Sequence, residues 1–153
     1  DSDLLPCLNT LSSNLKLACH RLSDHHIQPV FDMINRTAMP RFLVQNIAQA
    51  QEMLEAVQHP ALKIQYDCYH MAMMGEDVLE ALKENIHDIG HIQFADCPGR
   101  HEPDTAQMHF AEIFQWLNQS AYSGYIAAEY RPQAHSSHSF AWKDKYFAKH
   151  PQS

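Results

Sequence analysis

Leu62-Lys63-Ile64-Gln65-Tyr66-Asp67 is a mostly apolar, strand-like run that ends in a carboxylate. The arrangement recurs elsewhere. Val30-Phe31 runs into Asp32, His91-Ile92-Gln93-Phe94-Ala95 into Asp96, and Tyr125-Ile126-Ala127-Ala128 into Glu129. A strand buried in a parallel sheet is apolar along its length, and such sheets carry their chemistry at C-terminal strand ends. Carboxylates or amides converging from successive strand ends make the oxygen-rich site that a hard divalent cation requires.

The segments between these runs read as helices. From Asp3 to Leu22, Leu4, Leu8, Leu11, Leu15, Ala18, Cys19 and Leu22 recur at spacings of three and four, the mark of an amphipathic helix. A strand is expected over about His26 to Asp32, then a loop through Asn35 and Pro40 and a helix from about Leu43 to Val57, stopped by His59-Pro60. After the strand Leu62 to Asp67 come a helix from roughly Gly75 to Asn85 and a strand from Gly90 to Ala95. A long loop from Asp96 to Gln107, a helix from Phe110 to Asn118, a strand from Gly124 to Glu129 and a short helix from Ser139 to Phe147 complete the order. Strands alternating with helices define an α/β fold with a parallel sheet and right-handed crossovers. Residues 1–153 read as a single domain.

Four βα units are half of a (β/α)8 barrel, which usually takes ~250 residues. Half a barrel leaves strand edges unpaired. The chain is therefore expected to be part of a longer protein lacking its N-terminal half here, to self-associate with another copy, or to form a small open α/β domain. A start inside a helix without an initiator Met favours the first.

A net charge of −7 with no basic stripe excludes a nucleic-acid surface, because neutralising phosphates needs clustered Lys and Arg. No apolar run approaches the ~20 residues that span a bilayer. Cys7, Cys19, Cys68 and Cys97 form no close pair and no metal-ligand spacing, and are expected to be reduced thiols of a cytoplasmic protein. Most of the 12 histidines, among them His25, His26, His87, His135, His138 and His150, lie in polar contexts and read as solvated.

Three stretches carry more specific information: Lys63-Ile64-Gln65-Tyr66-Asp67-Cys68-Tyr69-His70-Met71; Gly90-His91-Ile92-Gln93-Phe94-Ala95-Asp96-Cys97-Pro98-Gly99-Arg100-His101-Glu102-Pro103; and Tyr122-Ser123-Gly124-Tyr125-Ile126-Ala127-Ala128-Glu129-Tyr130-Arg131-Pro132. In order and spacing, from about Leu8 to Pro132, they resemble the hydroxypyruvate isomerase family of the xylose isomerase-like (β/α)8 barrels. The likeness covers the C-terminal portion, about the last four βα units of such a TIM barrel.

The resemblance implies an isomerase that interconverts hydroxypyruvate and tartronate semialdehyde, or a related small hydroxy-oxo acid. It implies a divalent metal held by Asp32, Asp67, Gln93 and Glu129, with Asp32 and Glu129 as the acid/base pair and His70 and Arg100 as substrate contacts. Oxygen-rich ligation suits Mg2+ or Mn2+. A sugar epimerase of the same barrel class, and a catalytically silent binding or assembly module, are the rival readings.

The bland roles of these residues are equally definite. Asp67 could simply cap the turn after its strand, Gln93 could satisfy a buried backbone group, and Arg100 could pair only with Glu102. Asp96 reads as a brace for the Pro98-Gly99 loop, and Met71, Met73 and Met74 as pliable packing beside the site. Two departures from the family pattern stand out. Asp32 replaces a glutamate, and Asp104-Thr105-Ala106-Gln107 replaces a Gly-Thr-Gly-Glu run. Pro29 also removes a donor from the first strand.

Overall fold

A computed structural model describes residues 4–147. Its sheet holds four parallel strands in sequential order: β1 (Val30–Asp32), β2 (Lys63–Asp67), β3 (Ile89–Phe94) and β4 (Tyr125–Ala128). The helices are α1 (Leu4–Ser23), α2 (Ile47–Val57), α3 (Cys68–Met73), α4 (Val78–Asn85), α5 (Phe110–Gln119) and α6 (Ala141–Phe147). The α/β architecture with a parallel sheet is as the alternating pattern predicts.

The core lies between the sheet and its helices. Phe31, Ile64, Tyr66, Ile92 and Phe94 point outward from the strands and meet Met53, Val57, Leu82, Ile113, Phe114 and Leu117. The opposite face is polar: Gln65, His91 and Tyr125 share one row, and Asp67, Gln93 and Ala127 the next. A bulge in β3 sets this phase. Ile64 pairs with Ile89 but Gln65 pairs with His91, so Gly90 is the extra residue. A Cβ at Gly90 would lie 2.7 Å from Lys63 Cβ and 2.8 Å from Gln28 Oε1, which leaves glycine as the residue that fits.

The elements differ from the sequence expectation mainly at their starts. The first strand begins at Val30, not His26, because residues 24–26 form a turn and Pro29 has no N–H; Pro29 instead offers its carbonyl to Lys63 N (3.1 Å). α2 begins at Ile47, where Asn46 Oδ1 accepts from Gln49 N, and α4 at Val78, where Asp77 Oδ1 accepts from Glu80 N. Gly75, at φ 81°, lies outside any helix. α3 is an element the periodicity did not reveal, since six residues are too few to show a repeat.

α6 docks through aromatic edges. Trp142 meets Phe94 (5.2 Å between ring centroids), and Tyr146 meets Phe114 (5.1 Å).

The long loop after β3 is organised by one buried side chain. Asp96 Oδ1 accepts from Cys97 N (2.8 Å) and Met108 N (3.0 Å), and its Oδ2 from Thr105 N and Ala106 N (both 2.9 Å). The brace expected of Asp96 is therefore present, and it extends over the whole loop. Asp104 adopts φ 71°, a left-handed conformation natural to the glycine of the family pattern. Its carboxylate accepts from Lys145 Nζ (2.8 Å) and Tyr146 Oη (2.5 Å), tying the loop to α6.

Asp96→Asn turns one of two acceptor oxygens into a donor and orphans the backbone N–H groups it served. The variant is expected to lose about 2–3 kcal/mol of stability, measured from the shift in urea midpoint at unchanged slope.

Candidate active site

The sequence-predicted residues meet at the C-terminal ends of the strands. Asp67, at the end of β2, is 1% exposed and divides its carboxylate between two tasks. Oδ1 accepts from Tyr69 N (2.9 Å) and caps α3. Oδ2 has no hydrogen-bond partner among the described residues, with His70 Nε2 at 3.6 Å and Arg100 Nη2 at 3.5 Å, both beyond hydrogen-bond reach. The capping role and the site role thus belong to different oxygens of the same residue.

Arg100 bridges two of the expected ligands. Its Nη2 donates to Glu129 Oε2 (3.0 Å) while facing Asp67, and its guanidinium lies over the Tyr69 ring, 5.1 Å from the centroid. Pairing with Glu102 is not its role; Glu102 Oε2 accepts from Gln133 N. Arg100 itself stands at φ 58° beside Gly99 at φ 107°, and Asp96 O accepts from Arg100 N (3.0 Å). The Asp96-braced loop is what carries the cation to the carboxylates.

Asp32 ends β1, and its Oδ1 accepts from Met33 N (2.7 Å). Burial and the negative charge of Asp67 push its carboxyl up to about 6. Asp67 is likewise raised to about 6 by burial, against the opposing pull of Arg100. His70 is buried and held below the ordinary imidazole range by desolvation and by Arg100. Its Nδ1 lies 2.6 Å from Asn35 Nδ2. Glu129 lies just past β4 and is exposed, so its reach into the site runs through Arg100.

Gln93 pairs with Asp67 across the sheet, and its Oε1 accepts from Gln65 Nε2 (2.6 Å). Two residues were missed from sequence. Gln65 lies two positions before Asp67 and so on the same strand face, a signal available in the period of two. Asn35, 1% exposed, sits in a loop where no periodicity reports burial.

Among the described residues, no three His, Cys, Asp or Glu side chains are gathered into a ready-made cation site. The donors nevertheless suit a hard divalent cation. They are carboxylate and amide oxygens, one buried oxygen has no hydrogen-bond partner among the described residues, and neighbouring negative charge raises the carboxyls of Asp32 (from Asp67) and Asp67 (from Glu129).

The profile of the Xylose isomerase-like TIM barrel family matches residues 2–146, and the chain belongs to that family. It is 33% identical over 149 residues to a 2-oxo-tetronate isomerase of Cupriavidus necator, covering 97% of this chain and 57% of that protein. It is 34% identical over 137 residues to the hydroxypyruvate isomerase of Escherichia coli, covering 90% of this chain and 53% of that one. A crystal structure of AP endonuclease, family 2 from Brucella melitensis superposes with a TM-score of 0.89 at 26% identity, over 94% of this chain and 55% of its own. The chain spans about half the length of the curated relatives it matches. No described helix is long and apolar enough to cross a membrane.

The raised carboxyls give a stability prediction whose sign follows from linkage. A folded-state value of about 6 against 3.8 unfolded means the folded protein holds protons that the unfolded chain has released. Stability from these groups is therefore greatest below about pH 4 and falls as pH rises through about 6. Asp67→Asn keeps the acceptor that caps α3 but cannot ionise. With chelator present, it is expected to gain on the order of 2 kcal/mol relative to the unsubstituted protein between about pH 4 and about pH 7, measured by urea denaturation at both.

Proposed function

We propose that this chain carries the catalytic strand ends of an isomerase interconverting hydroxypyruvate and tartronate semialdehyde, or a closely related hydroxy-oxo acid. The observation that carries the reading is the buried Oδ2 of Asp67, without a hydrogen-bond partner among the described residues, set among Asp32, His70, Arg100 and Glu129. The names of the relatives, hydroxypyruvate isomerase and 2-oxo-tetronate isomerase, point the same way.

The reaction moves a carbonyl between adjacent carbons. A proton leaves the hydroxyl-bearing carbon, another is returned to the former carbonyl carbon, and a hydroxyl proton moves from one oxygen to its neighbour. A carboxylate on either side of the substrate performs the carbon transfers, and Asp32 and Glu129 flank Asp67 in the sheet order. Asp32, raised to about 6, is tuned close to working pH for that task. Asp32, Asp67, Gln93 and Glu129 would hold a divalent ion, Mg2+ or Mn2+, which supplies Lewis-acid stabilisation of negative charge on the substrate oxygens when bound. Arg100 meets both carboxylates through one nitrogen and keeps other N–H donors for a substrate carboxylate, which guanidinium binds bidentately. His70 faces the same space and contacts a substrate oxygen.

The test is turnover of hydroxypyruvate by the protein with Mg2+ or Mn2+ and with chelator, alongside calorimetry of ion binding. Expected are metal-dependent isomerisation and a drop in kcat of about 100-fold or more in Glu129→Gln. Asp32→Glu restores the longer carboxylate of the family pattern, and a shift of ~1 Å in a reacting group is worth up to ~100-fold, so turnover of hydroxypyruvate should rise. Turnover of ketohexoses in place of hydroxy-oxo acids would replace this reading by a sugar epimerase. Neither ion binding nor turnover would leave a silent module.

A further inference from the structure

The Asn35–His70 contact decides what His70 can do. The two side chains are 1% and 3% exposed, and Asn35 Nδ2 lies 2.6 Å from His70 Nδ1. A neutral imidazole donates from one nitrogen and accepts at the other, so the distance alone leaves two tautomers. The other end of the Asn35 amide removes the choice. Ala38 N–H donates to Asn35 Oδ1 at 2.8 Å. A backbone N–H only donates, so the amide oxygen must lie on the Ala38 side and the NH2 on the His70 side. That NH2 also only donates. Nδ1 must then accept, and the ring proton resides on Nε2.

The Asn35 backbone holds the arrangement in place, because its carbonyl accepts from Met39 N (3.0 Å) and closes the turn that presents Ala38 N. At the opposite edge of the ring, Nε2 lies 3.6 Å from the Asp67 oxygen that has no hydrogen-bond partner among the described residues.

We infer that Asn35 is a positioning residue that locks His70 in the Nε2–H tautomer, so that the site presents a hydrogen-bond donor beside Asp67. With its only lone pair committed to Asn35, His70 does not serve as the general base. It donates to a substrate oxygen and leaves the carbon proton transfers to the carboxylates. The catalytic part of this assignment rests on the proposed isomerase; the tautomer does not.

The deciding measurement is nitrogen NMR of the protein labelled with 15N-histidine, at a pH above the ordinary imidazole range, with His70 assigned by the signals lost in His70→Gln. The expected spectrum shows His70 with hydrogen on Nε2 and none on Nδ1. Hydrogen on Nδ1 in the unsubstituted protein overturns the assignment without needing any Asn35 variant to fold. In Asn35→Asp the partner can only accept, so the hydrogen should move to Nδ1, and turnover of hydroxypyruvate should fall about 10- to 100-fold. An unmoved hydrogen in that variant, or a moved one with unchanged turnover, refutes the positioning role. Should the unsubstituted protein fail to turn over, the isomerase reading falls while the spectrum still decides the tautomer.

Discussion

Negative charge buried at the ends of parallel strands is the constraint around which the rest is arranged. Asp67 is closed off from solvent yet has only one oxygen satisfied by the backbone. Its charge raises the proton affinity of Asp32 on the neighbouring strand, and its own is raised by Glu129. Buried carboxylates persist only where hydrogen bonds or opposite charge compensate them. Arg100 is the compensation visible in the fold, and it arrives on a backbone that needs positive φ at both Gly99 and Arg100. That conformation is sustained from below by Asp96, whose carboxylate collects backbone N–H groups from both ends of the loop. A second buried carboxylate, fully satisfied, thus positions the cation that serves the first.

The half-barrel holds together because its core is not the barrel interior. The apolar side chains of every strand point toward the helices, where they pack with α2, α4 and α5. The concave face carries Gln65, His91, Gln93 and the 82% exposed Tyr125, side chains that tolerate water. The two layers of sheet and helix are sufficient to enclose one hydrophobic core. The site, by contrast, sits at the C-terminal rim of the strands.

Much of this was legible in the sequence because burial leaves a periodic mark. The strand-end carboxylates stood out against apolar runs, and those runs are apolar because their outward residues fill the core. Asp67, His70, Arg100 and Glu129 do converge. What sequence could not reveal depends on contacts between distant segments or on single-residue geometry. Gly90 reads as the start of a strand until its pairing shows a bulge after Ile89. Asn35 is one polar residue in a loop, and only the position of His70, 35 residues later, gives it a role. The start of α2 was misplaced because apolar Leu43 and Val44 precede its cap Asn46, although the caps of both α2 and α4 follow ordinary chemistry.

The two departures from the family pattern act on different levels. At Asp104 the backbone stands at φ 71°, and the carboxylate anchors to Lys145 and Tyr146 on α6. A left-handed non-glycine residue costs about 1–2 kcal/mol, and short polar Asp is among the side chains best suited to it. The loop that carries Arg100 is thereby tied to α6. At Asp32 the backbone is equally regular, since Val30, Phe31 and Asp32 pair in register with β2. There the side chain itself is one methylene shorter, and its Oδ1 is turned back to the N–H of the next residue. Loop geometry adapts through new surface contacts; the reach of a carboxylate on a fixed strand end does not.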